Sequence, residues 1–417
     1  MTTETLDRPR VNSPAPFAAR PRPAQAAHTI RSDSEAIAVA RRLAETFRAE
    51  SALRDRDGLL PLDELDAYSQ SGLWGITVPK AYGGAGVSFA TLAQVIRILA
   101  EGDSSLAQIT QNHLALVGHI DLDATPAQKE ELFALVLQGI RFGNAFSEKN
   151  SKNVADFETT LAFDGDFAVV NGQKFYTTGA LLSHIVPIVA VDPVEGKGYL
   201  AFAERDAPGL TVHNDWSSFG QRTTASGSIQ IVNVRVPRSR LVPVAAFERP
   251  TVAGAVSQII QAAIDAGIAA AAIAETIAFV QTRSRPWIDS GKTSAAEDPF
   301  TISAIGDLTL RLHAAEALLD RAGQAIDAAH AHPSEETVNA ATLATAEAKV
   351  LTTEAAIQAS NKLFELAGTR ATLAEHNLDR HWRNARVHTL HDPVRWKFYH
   401  LGNFHLNGVN LPRHPWS

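Results

Sequence analysis

Cysteine is absent from this chain of 417 residues, and the single methionine is the first residue. Disulfides, thiolate metal ligands and a cysteine nucleophile are therefore excluded. Ordinary composition would supply on the order of ten sulfur-bearing residues in a chain this long. Two physical pressures produce such a deficit. A protein made when sulfur is scarce economises on it. A protein that handles peroxide benefits from lacking the side chains that peroxide oxidises. Compositional drift is the third and plainest account. A basic block is also missing, and the net charge is −7, which argues against nucleic acid or an anionic membrane as the main partner. No run approaches eighteen uninterrupted apolar residues, so no membrane span is expected. The N-terminus lacks the apolar core of a signal peptide, which leaves a cytoplasmic address by default. Pro9, Pro14, Pro16, Pro21 and Pro23 stand there among Ala, Arg and Ser, and residues 1–30 read as a disordered tail. Neither a Walker motif nor a Gly-x-Ser-x-Gly elbow occurs. Gly83-Gly84-Ala85-Gly86 follows no strand, so it reads as a turn and not as a dinucleotide fingerprint.

What remains is ordinary for a globular protein, with 45% hydrophobic and 20% charged residues. Residues 31–141 carry apolar spacings of three and four, with Ser34 available as an N-cap and Pro126 after Thr125 as a helix entry. Residues 142–248 alternate apolar and polar around an Asp164-Gly165 turn and predict a small β domain, barrel or sandwich. Residues 249–406 return to long helices. The segment from Ala255 is apolar on nearly every side, and another runs from Ser334 as N-cap to a stop at Gly368. A last helix is expected to start at Asp392 with Pro393 in its first turn, completing a four-helix bundle. Residues 407–417 are expected to pack at a subunit interface. The fold class is thus α+β, mostly α.

The histidine-rich stretch RVHTLHDPVRWKFYH places His388 and His391 three residues apart, but no Glu or Cys completes a ligand set, so no metal is expected. Asp392 before Pro393 suits an N-cap. Trp216 and Trp287 could line an apolar pocket or simply fill a core.

The order of these segments and several motifs resemble the acyl-CoA dehydrogenase superfamily over nearly the whole chain. The motifs are VPKAYGGAGVSFATLA, NAFSEKNSKN, NGQKFYTTGA, FGQRTTASGS, FELAGTR and RHWRNARVHTLHDP. The segments QNH, SRPW and the late LNG are most similar to its reduced-flavin monooxygenases of sulfur scavenging, the dibenzothiophene monooxygenase and sulfur acquisition oxidoreductase groups. The resemblance implies FMN, used as FMNH2, with FAD less favoured. It implies O2 and a small organosulfur substrate as reactants, a flavin C4a-hydroperoxide as oxidant, and a separate NAD(P)H:flavin reductase as partner. A homotetramer is the family's usual form. Carried over by motif, His113, Asn144, Thr178 and His391 are the expected catalytic set. Asn144, Ser147, Tyr176, Thr178, Arg285, Gly368, Thr369 and Arg370 are the expected flavin contacts, and Trp216 and His388 the expected substrate-pocket residues. The dehydrogenases take an α-proton with a Glu in a Tyr-Glu-Gly-Thr segment, where this chain has His391-Asp392-Pro393-Val394. Two other readings stay open at this stage: an FAD-dependent acyl-CoA dehydrogenase or oxidase, and a catalytically silent helical-bundle assembly protein.

Overall fold

The computed structural model describes residues 8–13, 17–154 and 156–417. Its first layer is helical: α1 (Asp33–Asp57), α2 (Leu62–Gln70), α3 (Phe89–Gly102), α4 (Ser104–Asp123) and α5 (Pro126–Leu137). The chain then forms β1 (Thr160–Asp164), β2 (Phe167–Lys174), β3 (Ile185–Asp192), β4 (Lys197–Glu204), β5 (Leu210–Val212), β6 (Ile229–Pro237) and β7 (Leu241–Pro243). The last part is helical again: α6 (Ala253–Thr282), α7 (Pro299–Ala331), α8 (Glu335–Ala367), α9 (Asp379–His388) and α10 (Arg395–Asn407).

Local chemistry sets most of the helix ends. Thr125 and Gln128 make a reciprocal capping box at α5, with Pro126 in the first turn. Ser334 caps α8, and Gly368 ends it at φ +79°, a value that glycine adopts without steric cost. The cap of α1 is Ser32, not Ser34, because the Ser32 Oγ accepts from the Glu35 N–H at 3.2 Å. Asp392 does not cap the last helix. α10 begins at Arg395 with no side-chain cap, and the Asp392 carboxylate turns inward instead.

The β domain is a single seven-stranded sheet in the order β5-β6-β2-β1-β3-β4-β7. Asp164 stands opposite Phe167 across the tight β1–β2 turn. β3, read as IVPIVAVD, is buried at every position but one. The segment after α5 lies along it through bridges from Phe142 to Ile185 and Ala145 to Ile188.

α6 is the central helix and packs against α3, α4, α7 and α8. It is long and apolar enough to cross a membrane, at a mean hydropathy of 1.7 despite the interruptions at Gln258, Gln261 and Asp265, but 72% of that stretch is buried inside the protein. A Cβ at Gly267 would stand 2.5 Å from the Arg97 carbonyl oxygen, so glycine is required where α6 meets α3.

The N-terminal tail departs from expectation. Residues 8–13 and 17–30 make defined contacts, whereas 1–7 and 14–16 lie outside the described residues. Arg20 pairs with Asp66 at 2.5 Å, Arg22 with Glu204 at 2.8 Å, and the Pro21 carbonyl lies 3.1 Å from His184 Nε2. Guanidinium groups and backbone carbonyls thus tie down a segment whose composition alone suggests disorder. The C-terminal tail packs on its own chain: Asn339 accepts from Leu411 N at 3.0 Å, and Gln258 donates to the Pro415 carbonyl at 3.2 Å.

One buried cluster holds the start of α4. Asp103 Oδ1 accepts from Ser105 N and Leu106 N, while its Oδ2 accepts from Arg54 at 2.8 Å. Arg54 is 1% exposed and also pairs with Glu64 at 2.7 Å. Asp103→Ala removes a cap and one of the two carboxylates that hold a buried guanidinium, so it should cost about 3–5 kcal/mol. Denaturant unfolding measures this, and a loss below about 1 kcal/mol would contradict the assigned geometry.

Candidate active site

A cluster of amides and hydroxyls forms where three loops meet. Asn144, on the segment beside β3, donates to the Tyr176 carbonyl at 3.1 Å and accepts from Phe146 N at 3.1 Å. The Ser147 carbonyl accepts from Phe175 N at 2.9 Å. Thr178 Oγ1 is 2.8 Å from Ser226 Oγ, which is 2.7 Å from Thr224 Oγ1. The Tyr176 ring is 6.2 Å from that of Trp216, whose indole N–H donates to the Gln221 carbonyl at 2.9 Å. The Gln221 N–H donates to Asn384 Oδ1 at 2.7 Å, and Asn384 Nδ2 donates to Ser104 Oγ at 3.0 Å. Asn384 therefore joins α9, the loop before β6 and the start of α4. A Cβ at Gly220 would lie 2.0 Å from the Arg383 carbonyl oxygen, so that loop can approach α9 only as glycine.

Tyr176, Gln221 and Ala225 all have positive φ, between 49° and 59°. Such strain in non-glycine residues persists where the surroundings over-determine it, and it concentrates at functional sites. One brace is the buried Lys174, whose Nζ donates to Glu148 at 2.6 Å and to the Phe146 carbonyl at 3.0 Å. Burial pulls Lys174 down to about 8, against the opposing pull of Glu148.

Asn144, Tyr176, Thr178 and Trp216 are thus brought together. Thr224, Ser226, Gln221 and Asn384 join them and had not been singled out, although the polar run QRTTASG was the signal that could have found the first three.

His113 does not join this cluster. It is fully buried; the Phe142 N–H donates to its Nδ1 at 3.0 Å, and its Nε2 lies 3.2 Å from the Trp74 carbonyl. Both nitrogens are committed to backbone, and burial holds the imidazole neutral by lowering it to about 3. The expected contact with peroxide is corrected on that ground. His113 instead pins Phe142, two residues before Asn144.

His388 is not a pocket residue either. Its Nδ1 is 2.5 Å from Asp265 Oδ1 in the middle of α6, fully inside the bundle. Asp265 also accepts from Lys349 at 3.0 Å and from Thr353 at 2.9 Å, both on α8. Burial lowers His388, while Asp265 pulls the other way.

Four residues on, Asp392 is 3% exposed. Its Oδ1 is 3.4 Å from His391 Nδ1 and its Oδ2 is 3.8 Å from Lys397 Nζ. Burial alone would raise this carboxyl, but His391, Lys349 and Lys397 hold it well below the usual carboxylate range. Lys397 also donates to the Trp416 carbonyl at 2.5 Å. Nδ1 of His391 faces Asp392, and Nε2 of this 30% exposed side chain is left for a ligand.

The other expected flavin contacts lie elsewhere. Arg285, Gly368, Thr369 and Arg370 line one cavity of about 960 Å³, together with Arg283 and Lys362. None of the amide and hydroxyl cluster lines it. Arg370 donates to the Arg283 carbonyl at 3.0 Å, which holds its guanidinium against the end of α6. Among the described residues no group of three or more His, Cys, Asp or Glu is arranged to hold a metal ion.

Residues 33–139 and 259–396 match the family descriptions "Acyl-CoA dehydrogenase, N-terminal domain" and "Acyl-CoA dehydrogenase, C-terminal domain". The dibenzothiophene monooxygenase of Rhodococcus erythropolis is 34% identical over 395 residues, covering 90% of this chain and 94% of the relative. The chain belongs to the acyl-CoA dehydrogenase family. Within it, the probable FMNH2-dependent monooxygenase SfnC of Pseudomonas putida is 35% identical over 386 residues, 89% of this chain and 95% of the relative. The crystal structure of FMN-bound TdsC from Paenibacillus sp. A11-2 superposes with a TM-score of 0.87 at 32% identity, covering 92% of this chain and all (100%) of that one. Against the dehydrogenase pattern of this family, the loop here offers an imidazole backed by a buried carboxylate.

The buried histidines predict a pH dependence. His113 is lowered to about 3 and His184 to about 4, chiefly by burial. Below about pH 6.5 the unfolded chain takes up protons that the folded state refuses. Stability should therefore be unaffected by these groups at neutral pH and fall as pH drops from about 6.5 towards 4. The slope should approach about 1.4 kcal/mol per pH unit for each group. Denaturant titrations at a series of pH values measure it, and a flat profile down to pH 5 would refute the buried neutral state.

Proposed function

We propose that this protein is an FMNH2-dependent monooxygenase that oxygenates a small organosulfur compound. The state of Asp392 carries the reading. Dehydrogenation needs a carboxylate free to take a proton from carbon. The carboxylate of this loop is buried, faces Lys397 and is held far below the range of an effective general base. The group that faces outward is His391, a hydrogen-bond donor near neutral pH. The relatives' names support a monooxygenase and FMN.

The residues present fit FMN. The arginine forks of Arg285 and Arg370 match phosphate oxygens, and Gly368 and Thr369 let backbone N–H groups approach. Asn144, Ser147, Tyr176 and Thr178 suit the polar edge of a flavin ring. Bound FMNH2 would supply, with O2, an electrophilic oxygen atom. With both ring nitrogens protonated beside the Asp392 carboxylate, His391 would hold a proton at Nε2 for that oxygen, Thr178 and Ser226 would supply hydroxyl donors to the flavin, and Trp216 would help exclude water. For a sulfinate the balance is R–SO2⁻ + O2 + FMNH2 → R–SO3⁻ + FMN + H2O, with one new S–O bond. Reduced flavin comes from a separate NAD(P)H:flavin reductase.

The cavity of Arg285 and Arg370 and the Asn144–Thr178 cluster share no lining residue, which suits a site completed by a second copy. A homotetramer is the usual form of the family, and we take that form for this protein, with the exposed Trp396, Tyr399 and Leu406 of α10 available for association.

The test supplies the protein with FMN, a flavin reductase, NADH and ¹⁸O2 over a panel of sulfur compounds, with mass spectrometry of the products. One labelled oxygen in a sulfur product is the expected outcome. Anaerobic bleaching of bound FAD by an acyl-CoA would establish the dehydrogenase reading instead, and failure to bind any flavin the silent scaffold. His391→Ala should lower coupled oxygenation about a hundredfold and divert O2 to hydrogen peroxide, with FMN affinity retained. A fully coupled variant would remove His391 from the mechanism.

A further inference from the structure

Three consecutive backbone N–H groups lead to Asn144, and each has its own acceptor. Arg141 N donates to His184 Nδ1 at 2.9 Å, Phe142 N to His113 Nδ1 at 3.0 Å, and Gly143 N to the Ile185 carbonyl at 2.9 Å. Strand pairing supplies only the last of these. Two imidazoles supply the others, and a neutral imidazole accepts at one nitrogen only while its proton sits on the other. A Cβ at Gly143 would stand 2.5 Å from Ala180 Cα, so the stretch has no room to shift towards the loop that follows Thr178. The placing of Asn144 thus depends on both imidazoles.

The two histidines differ in what holds the far nitrogen. His113 Nε2 faces the Trp74 carbonyl of the helical layer, at 3.2 Å. His184 Nε2 faces the Pro21 carbonyl of the N-terminal segment, at 3.1 Å. A carbonyl only accepts, so Pro21 fixes the His184 proton on Nε2 and leaves the Nδ1 lone pair for Arg141 N–H. The same segment reaches Arg141 by a second route. Arg20 donates to Asp66 Oδ2 at 2.5 Å, and Arg141 donates to Asp66 Oδ1 at 2.8 Å. Arg20 and Pro21, adjacent in the chain, grip the side chain of Arg141 through a carboxylate and its backbone through an imidazole. Arg141 is 3% exposed and His184 5%.

We propose that the N-terminal segment around Arg20–Arg22 is a working part of the flavin site, with His184 as the positioning residue through which it holds Arg141 and so places Asn144 against the flavin. This inference rests on the reading of Asn144 as a flavin contact. The arrangement holds only while His184 is neutral, because a proton on Nδ1 would face the Arg141 N–H. Burial lowers His184 to about 4; Arg141 and Arg22 push it the same way, while the Pro21 bond and Asp66 oppose. His113 and His184 also act on each other. Detaching the segment removes cover and the Arg22 charge, and lets His184 titrate nearer its ordinary value of about 6.5.

The test measures FMN affinity by titration calorimetry on the full-length chain, as the ratio of variant to wild type at each pH, which cancels the titration of the FMN phosphate. Arg20→Glu with Arg22→Glu sets like charges against Asp66 and Glu204 and frees the segment without touching the core. At pH 8 this double variant should bind FMN within threefold of wild type. At pH 5.5 a group titrating at 6.5 is neutral in about one molecule in eleven, so binding should be about tenfold weaker. His184→Gln carries an amide that accepts and donates but does not titrate. Added to the double variant, it should restore wild-type affinity at pH 5.5 within threefold. Alone, His184→Gln should bind FMN as wild type does, and His184→Leu at least tenfold more weakly at both pH values. A double variant that tracks wild type at pH 5.5, a loss equal at both pH values, or equal affinities of the Gln and Leu variants would each overturn the inference. Asn144→Ala should weaken FMN binding at least tenfold, and an unchanged affinity there would instead overturn the flavin reading of Asn144 itself.

Discussion

The carboxylate of Asp265, buried at the centre of α6, receives an ammonium and a hydroxyl from α8 and an imidazole from the end of α9. A charge in that position cannot be hydrated, so its partners must stay where they are. Removing one partner of a buried pair typically costs about 3–5 kcal/mol. The consequence extends beyond the pair. Lys349 also acts on Asp392, and Asp392 is shared by His391 and Lys397. Two carboxylates and two ammoniums thus balance inside the bundle, and the loop bearing His391 is anchored from behind.

That balance redirects the chemistry of the family's loop. An aspartate in place of a longer glutamate could still be a base if it reached outward. Here it is drawn inward, and the outward group is an imidazole. The composition of the chain bears on the same point from another side. A protein with one sulfur atom in 417 residues suits synthesis under sulfur limitation, the condition under which oxidising an organosulfur compound is useful. It also resists damage from peroxide released by an uncoupled flavin.

Much of the architecture was legible. Apolar periodicity, the Thr125-Pro126 entry, the Ser334 start, the Gly368 stop and the Asp164-Gly165 turn are local signals, and local backbone chemistry decides them. The expected flavin contacts also fell into two coherent groups. The motif puts His113 in the catalytic set, but the fold commits both its nitrogens to the Phe142 and Trp74 backbone, contacts between segments far apart in sequence. Asp392 looked like a cap because Asp-Pro so often is one. The pull of Lys349, far away in sequence, is invisible there.

By itself the sequence determined the order of helix, sheet and helix, the residue types available for chemistry, and the impossibility of any thiol. These follow from propensity, pattern and composition, which act over a few residues at a time. Only the tertiary structure decided which way each polar side chain turns. Burial makes an unpaired polar group costly, so histidines, carboxylates and amides take their roles from neighbours that the fold alone brings near. His113 became a pin, Asp392 an inward anchor and His391 the outward donor.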